Sequence, residues 1–370
     1  DGTISNTAGT SSLVISGASS LGGSVTTSST QTYTGAATLT GNSTLTTSSA
    51  QVTFSNTINS EGSETNDLTV TASELQLDGI VGGTRTLGVM DINGTLDLNA
   101  AITNATSIDV SSTSNLGANV TTSGTQTYTG ATVLSTDVTL TTTDSNVTFS
   151  STVDGDGTAR DLIIDTNGNT GTILFDGLVG NSNDLDAITI TGNLDLDAAI
   201  ANTTSISVSG TSNLGANVTT SGTQTYTGAT TLSGGDRTLT ATTVNFGSTM
   251  TGTGSHDLTV TGNLDLDGAL TSVVDLSISG TSNLGANVTT SGTQTYTGAV
   301  TLSTDVTLTT DDSNITFGST VRSDAAETSR DLTVNLDGNG GGTSADLILN
   351  GIVGGASLPL DVMTLTGDLD

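Results

Sequence analysis

Over 370 residues the chain carries 36 Asp and Glu against five Arg (Arg85, Arg160, Arg237, Arg322, Arg330) and no Lys, and this net charge of −31 excludes nucleic acid and anionic lipid as partners. With no Cys, no Trp, 5 Phe and 47 Gly, a disulfide framework, thiolate metal sites and a thick globular core are excluded as well. No apolar run reaches the 18 or so residues that cross a bilayer, so no membrane insertion of this segment is expected.

Alternation of apolar and hydroxyl residues marks strands along the whole chain, as in Gln126-Thr-Tyr-Thr129, Asn146-Val-Thr-Phe149 and Ile188-Thr-Ile-Thr191, and helical spacing is nowhere sustained. The second inward residue of each strand gives a series of markers: Ile15, Tyr33, Phe54, Leu77, Ile92, Val110, Tyr128, Phe149, Phe175, Ile190, Val208, Tyr226, Phe246, Val260, Ile278, Tyr296, Phe317, Leu349 and Leu365. From Tyr33 to Tyr128 their separations are 21, 23, 15, 18 and 18 residues, and from Tyr128 to Tyr226 they are 21, 26, 15, 18 and 18. A large repeat of five smaller units is expected from this series. From Tyr226 to Tyr296 one unit is missing, the one carrying Leu77-Asp-Gly-Ile-Val-Gly82 in the first copy and Phe175-Asp-Gly-Leu-Val-Gly180 in the second.

Loss of a whole unit without loss of pattern is the mark of a solenoid, in which each coil touches only its neighbours. Units of about 18–20 residues suit a single-stranded, three-sided parallel β-helix, and the markers count about eighteen or nineteen coils. The expected organisation is one continuous solenoid over 1–370, with large repeats near 33–127, 128–225, 226–295 and a partial 296–370, cut from a longer chain. Residues 113–131 recur letter for letter at 211–229 and 281–299, with a looser copy at 18–36. Gly and Asn in these copies, as in Leu116-Gly-Ala-Asn119, supply the conformations that tight corners need.

Tyr128, Phe149, Phe175, Ile190, Val208 and Tyr226 are expected to form one inward column, with the neighbouring Thr facing out. Three long steps, after Phe54, Phe149 and Phe317, hold acidic loops and are the expected location of any specific contact.

The supply of catalytic groups is thin: one His, His256, in a turn where the other copies place Asn66, Arg160 and Arg330, and no Lys or Cys. The acidic positions recur with the repeat, as Asp97, Asp195 and Asp265 do, and read as scaffold, so a non-enzymatic protein is expected. For cofactors, none is expected apart from Ca2+, for which Asp165, Asn167 and Asn169 and, separately, Asp337 and Asn339 are candidate oxygen ligands on tight Gly turns. The same residues are those of ordinary turns, and neither run has the later Glu of an EF-hand. Thr127 with Thr129, Thr189 with Thr191, Ser207 with Ser209 and Thr225 with Thr227 would make outward hydroxyl rows, the basis of an alternative reading as an ice-binding or calcium-binding module of an adhesin.

The segments Gly-Thr-Gln-Thr-Tyr-Thr-Gly-Ala (124–131), Asp-Val-Thr-Leu-Thr-Thr (137–142 and 305–310), Val-Thr-Phe-Ser-Ser-Thr-Val-Asp-Gly (147–155), Phe-Asp-Gly-Leu-Val-Gly (175–180) and Ile-Thr-Ile-Thr-Gly (188–192) resemble the repeat region of filamentous haemagglutinin-like large exoproteins. The likeness covers essentially the whole chain and is one of repeat style. It implies a right-handed β-helix exported to the surface of a Gram-negative bacterium, acting as an adhesin stalk or fibre, and it carries over no functional residue. The expected partners are a host or neighbouring cell surface, a matrix, or further copies of the chain in a fibre.

Overall fold

The computed structural model describes residues 3–6, 9, 11–168, 170–253, 255–325, 329–338, 340–341, 344–355 and 358–369. All regular structure among them is β, and the strands pair in parallel into a β-solenoid of about 17 turns. Two compact units are distinguished, Asp1–Asn193 and Leu194–Asp370.

Within Asp1–Asn193 each coil has three strands, each stacked on its counterpart one coil away. Ser114–Leu116 pairs with Thr132–Leu134, Val120–Thr122 with Val138–Thr141, and Gln126–Tyr128 with Val147–Phe149, all in parallel. Inward Leu, Val, Ile and aromatic side chains fill the narrow interior and Thr, Asn and Asp alternate outward, so the strand pattern in the sequence is the pattern of burial. All four Tyr and five Phe belong to the fully buried set.

The register separates the markers into columns that the sequence merges. Tyr33 stacks under Phe54, Leu77, Leu98, Leu116 and Leu134 in turn. Tyr128 stands in another column, above Val70, Ile92 and Val110 and below Phe149 and Phe175. Leu77 therefore rests against Leu98, and the expected step from Leu77 to Ile92 is not a stacking step. The expected step from Phe175 to Ile190 fails in the same way, because Ile190 pairs with Ile164.

The cause is local. Leu68–Leu77 and Leu87–Leu98 are long strands that run around a corner, with a register shift between Thr71 and Glu74, so one continuous strand serves two faces. Each step of 14 or 15 residues moves the marker to the next face instead of closing a coil. This accounts for about 17 turns against the eighteen or nineteen counted from the markers.

The consequence is a fractional repeat. From Tyr33 the column climbs through Phe54, Leu77, Leu98 and Leu116, and Tyr128 falls two thirds of the way from Leu116 to Leu134. The large repeat is four and two-thirds coils, where five units were expected. In Leu194–Asp370 the column from Tyr226 climbs through Phe246, Leu266 and Leu284, and Tyr296 falls two thirds of the way to Leu302. The shortened copy is three and two-thirds coils, one whole coil fewer. Within each unit, corresponding stretches of the repeat are thus presented on successive faces.

Stacked rings stiffen the columns. Centroid separations are 4.7 Å for Tyr33–Phe54, 5.2 Å for Tyr128–Phe149, 5.3 Å for Phe149–Phe175, 5.6 Å for Tyr226–Phe246 and 5.3 Å for Tyr296–Phe317, with planes within 21° of parallel. Each pair contributes about 0.5–1.5 kcal/mol beyond burial.

Every Tyr is locked by a buried Gln two residues before it. Tyr128 Oη donates to Gln126 Oε1 at 3.1 Å, while Gln126 Nε2 donates to the Val120 carbonyl at 3.2 Å and to the Thr141 carbonyl at 2.9 Å, bridging one coil to the next. The pattern repeats at Gln31, Gln224 and Gln294, and none of the four Gln is exposed to solvent. Burial pushes the phenols of all four Tyr far above their ordinary range.

The Gly after Tyr-Thr is dictated by close backbone contact. A Cβ on Gly130 would lie 2.4 Å from the Ser112 carbonyl carbon, and one on Gly298 would lie 2.2 Å from the Gly280 oxygen. Any side chain there would lift the coil off its neighbour.

Candidate functional sites

The turns expected to hold Ca2+ are closed by their own bonds. Asp165 ends the strand Leu162–Asp165, and its Oδ1 accepts the N–H of Asn167 at 2.8 Å, with Asn167 at a φ of 52°. Thr166 beneath it is fully buried and bonds the Gly168 and Thr191 carbonyls at 2.8 and 3.0 Å. Asp337 forms an antiparallel bridge with Asp311, and its N–H donates to Asn335 Oδ1 at 3.1 Å. Asn169 and Asn339 lie outside the described residues. Among the described residues, no group of three or more His, Cys, Asp or Glu is placed to hold a metal ion.

One set of acidic residues serves the corners. In Leu194–Asp370 the N–H of Asp257 donates to Asp236 Oδ1 at 3.1 Å, that of Asp275 to Asp257 Oδ1 at 3.0 Å and that of Thr293 to Asp275 Oδ1 at 2.6 Å. Three carboxylates on consecutive coils thus each cap a backbone donor of the coil above. Asp137 and Asp161 form the same ladder in Asp1–Asn193, accepting from the N–H groups of Asp161 and Ala187 at 3.2 and 3.0 Å. Asn does this work elsewhere: Asn119 and Asn287 accept from Thr139 and Thr307, both at 2.8 Å. Corner N–H groups fall outside the strand ladder, so a short side-chain acceptor is the economical partner for them.

The loop position shared by Asn66, Arg160, His256 and Arg330 is a clip. Arg160 forks onto Asp156 at 3.1 and 2.9 Å, and Arg330 onto Asp324 at 3.0 and 3.2 Å. The Arg160 hydrogen bonds hold the Asp156 carboxyl below the usual carboxylate range, and Arg330 does the same for Asp324. Asn66 is buried and donates its Nδ2–H to the Leu39 carbonyl at 2.8 Å. His256 is half-buried, and its carbonyl accepts the N–H of Val274 at 2.9 Å.

Two further Arg depart from the pattern. Arg237 is 8% exposed and stands at the position Val138 and Val306 occupy in other copies. Its guanidinium donates to the carbonyls of Leu214 at 3.0 Å, of Asp236 at 2.7 Å, and of Gly215 and Ser233. Burial lowers its pKa, with Asp236 opposing. Arg322 lies instead beside a shallow groove of about 310 Å³ lined by Asn263, Asp265, Thr281, Asn283 and Thr301 among others.

The expected hydroxyl rows are broken up by the rotation of the repeat. Thr127 sits between Asp109 and Thr148 in its outward column, whereas Thr189 sits beside Ile163 in another. Ser207 does pair with Thr225, but the next residue in that column is Asn245. No protein family, curated protein or solved structure was found to match the chain.

Proposed function

We propose that the chain is a non-enzymatic structural and adhesive segment of an extracellular bacterial surface protein, a repetitive stalk that attaches to a cell surface, a matrix or sister fibres. The observation that carries this reading is the fractional repeat. Within Asp1–Asn193 and within Leu194–Asp370, copies four or three whole coils long end on the same two-thirds phase, so length varies by whole coils while the core is preserved. Variable length on a fixed cross-section suits a spacer. Presentation of the same outward residues on successive faces suits many weak contacts, which gain strength through effective concentration.

The repeat style that resembles filamentous haemagglutinin-like exoproteins supports the same reading. Beads coated with the chain should adhere to cultured cells or matrix at high coating density, while the free chain at equal total concentration shows no measurable retention. Beads that attach no better than beads carrying a charge-matched acidic polymer would sink the proposal.

A further inference from the structure

Asn59, Asp154, Thr251 and Arg322 stand five residues after Phe54, Phe149, Phe246 and Phe317, at one position of the repeat. Asn59 Oδ1 accepts the N–H groups of Thr84 and Arg85 at 2.9 and 3.1 Å, and Asp154 Oδ1 accepts those of Ser182 and Asn183 at 2.9 and 3.4 Å. Each holds down the loop of the next coil. Arg322 has no acceptor atom with which to do that, and it reverses the charge found at Asp154.

The Arg322 side chain is exposed, and its guanidinium bonds no described residue, in contrast to the forks of Arg160 and Arg330 and the cage of Arg237. In register, Asp265, Asn283, Thr301 and Arg322 follow one another on successive rungs. At the usual spacing of paired strands this row runs roughly 14 Å along the groove. Its members are already oriented: Asn283 Nδ2 donates to Asp265 Oδ1 at 2.8 Å, and Thr281 donates its N–H and hydroxyl to Asn263 Oδ1 at 2.9 and 3.0 Å.

We propose that this groove binds an oligosaccharide bearing a uronate, with Arg322 forking onto the sugar carboxylate and Thr301, Asn283 and Thr281 meeting ring hydroxyls. A peptide is the poorer fit. It would add to a free strand edge or seat apolar side chains, and here the strand backbones are spent on the parallel ladder while the lining, Leu264 and Ala299 apart, is polar. One guanidinium, with Asp265 three rungs away at the other end of the row on a chain of charge −31, suits a singly charged carboxylate better than a phosphate. This deepens the adhesive reading and rests on it only for where such a ligand would be met.

Titration of the chain with trigalacturonic acid, followed by NMR or calorimetry, tests the groove without any cell. Saturable binding is expected with a Kd on the order of 0.1–1 mM. Arg322→Asp, which installs the residue of the second copy, should weaken it about tenfold or more, and Arg322→Lys by a smaller factor. The methyl-esterified trimer should bind as weakly as the Asp variant does. Thermal melts of both variants matching the parent would show that the fold is intact. The proposal is overturned by no saturation at about 10 mM, by unchanged affinity in Arg322→Asp, by equal binding of the ester, or by a penta-glutamate peptide binding as tightly as the sugar. Failure here would leave attachment of coated beads unaffected, so the two proposals fail separately.

Discussion

The repeat that begins at Tyr33 and the one that begins at Tyr226 share a buried Gln–Tyr pair and a Phe stacked on the Tyr, yet one climbs four whole coils and the other three before the same two-thirds step. A coil is therefore disposable, and its phase is not. Removing a whole coil returns every later residue to an equivalent rung, whereas removing an odd number of residues from one would turn Leu and Val outward and Thr inward. The solenoid is held together by neighbour-to-neighbour terms, and the copies differ in length by how many of those coils they contain.

The sharpest way to break this comparison is by deletion. Removing 99–116, the coil between Leu98 and Leu116, should leave cooperative thermal unfolding followed by circular dichroism. Removing only 99–107 should abolish it. Next in size is truncation of the stack: Phe149→Ala should cost about 3–5 kcal/mol in chemical denaturation. Phe246→Ala should cost about 0.5–1.5 kcal/mol less, because Phe149 stacks on both Tyr128 and Phe175 whereas Phe246 stacks on Tyr226 alone. Equal losses would show that ring stacking is not the distinguishing term.

Gln126→Leu leaves the Tyr128 hydroxyl and two carbonyls without their partner, and should cost about 1–3 kcal/mol, an effect that Tyr128→Phe in the same chain should partly relieve. The smallest effect concerns pH. Partial desolvation at the surface, and then Asp91 in register beside it, push the Asp109 carboxyl up. The native state then keeps a proton that the unfolded chain has released, so stability falls as pH rises through the window just above the ordinary carboxylate range. Asp109→Asn should remove that part of the pH dependence and leave the melt unchanged below it.

The fold class was legible because alternation in a thin core leaves no other arrangement: Tyr128, Val147 and Phe149 read directly as inward residues. The rung count was less legible. Where a corner is made by Gly and Asn the sequence marks it, but in Leu87–Leu98 the strand continues around the corner, and Ile92 and Leu98 look like one run while serving two faces. The role of Gln126 was hidden for a related reason. A Gln in a strand gives no sign of being inward until the Tyr two residues on is placed beside it. The corner ladder of Asp236, Asp257 and Asp275 could have been found by noticing that an acidic residue recurs just before the strand in successive coils. Arg322 carried the one legible sign of a specific surface, a reversed charge at an otherwise acidic or neutral repeat position, but its neighbours lie on other rungs and only the register brings them together.

The central claim is that long strands shift the column by one face, and a chain without Cys allows it to be tested by cross-linking. In the register described, Gln76 is the outward neighbour of Asp97, while Asp91 belongs to the next face beside Thr69. Paired parallel strands place such neighbours within the span a disulfide needs. The double variant Gln76→Cys/Asp97→Cys should oxidise to an intramolecular disulfide under mild conditions, and Gln76→Cys/Asp91→Cys should remain reduced. A disulfide in the second pair and none in the first would mean that Ile92, and not Leu98, stacks on Leu77, and the fractional repeat would be wrong.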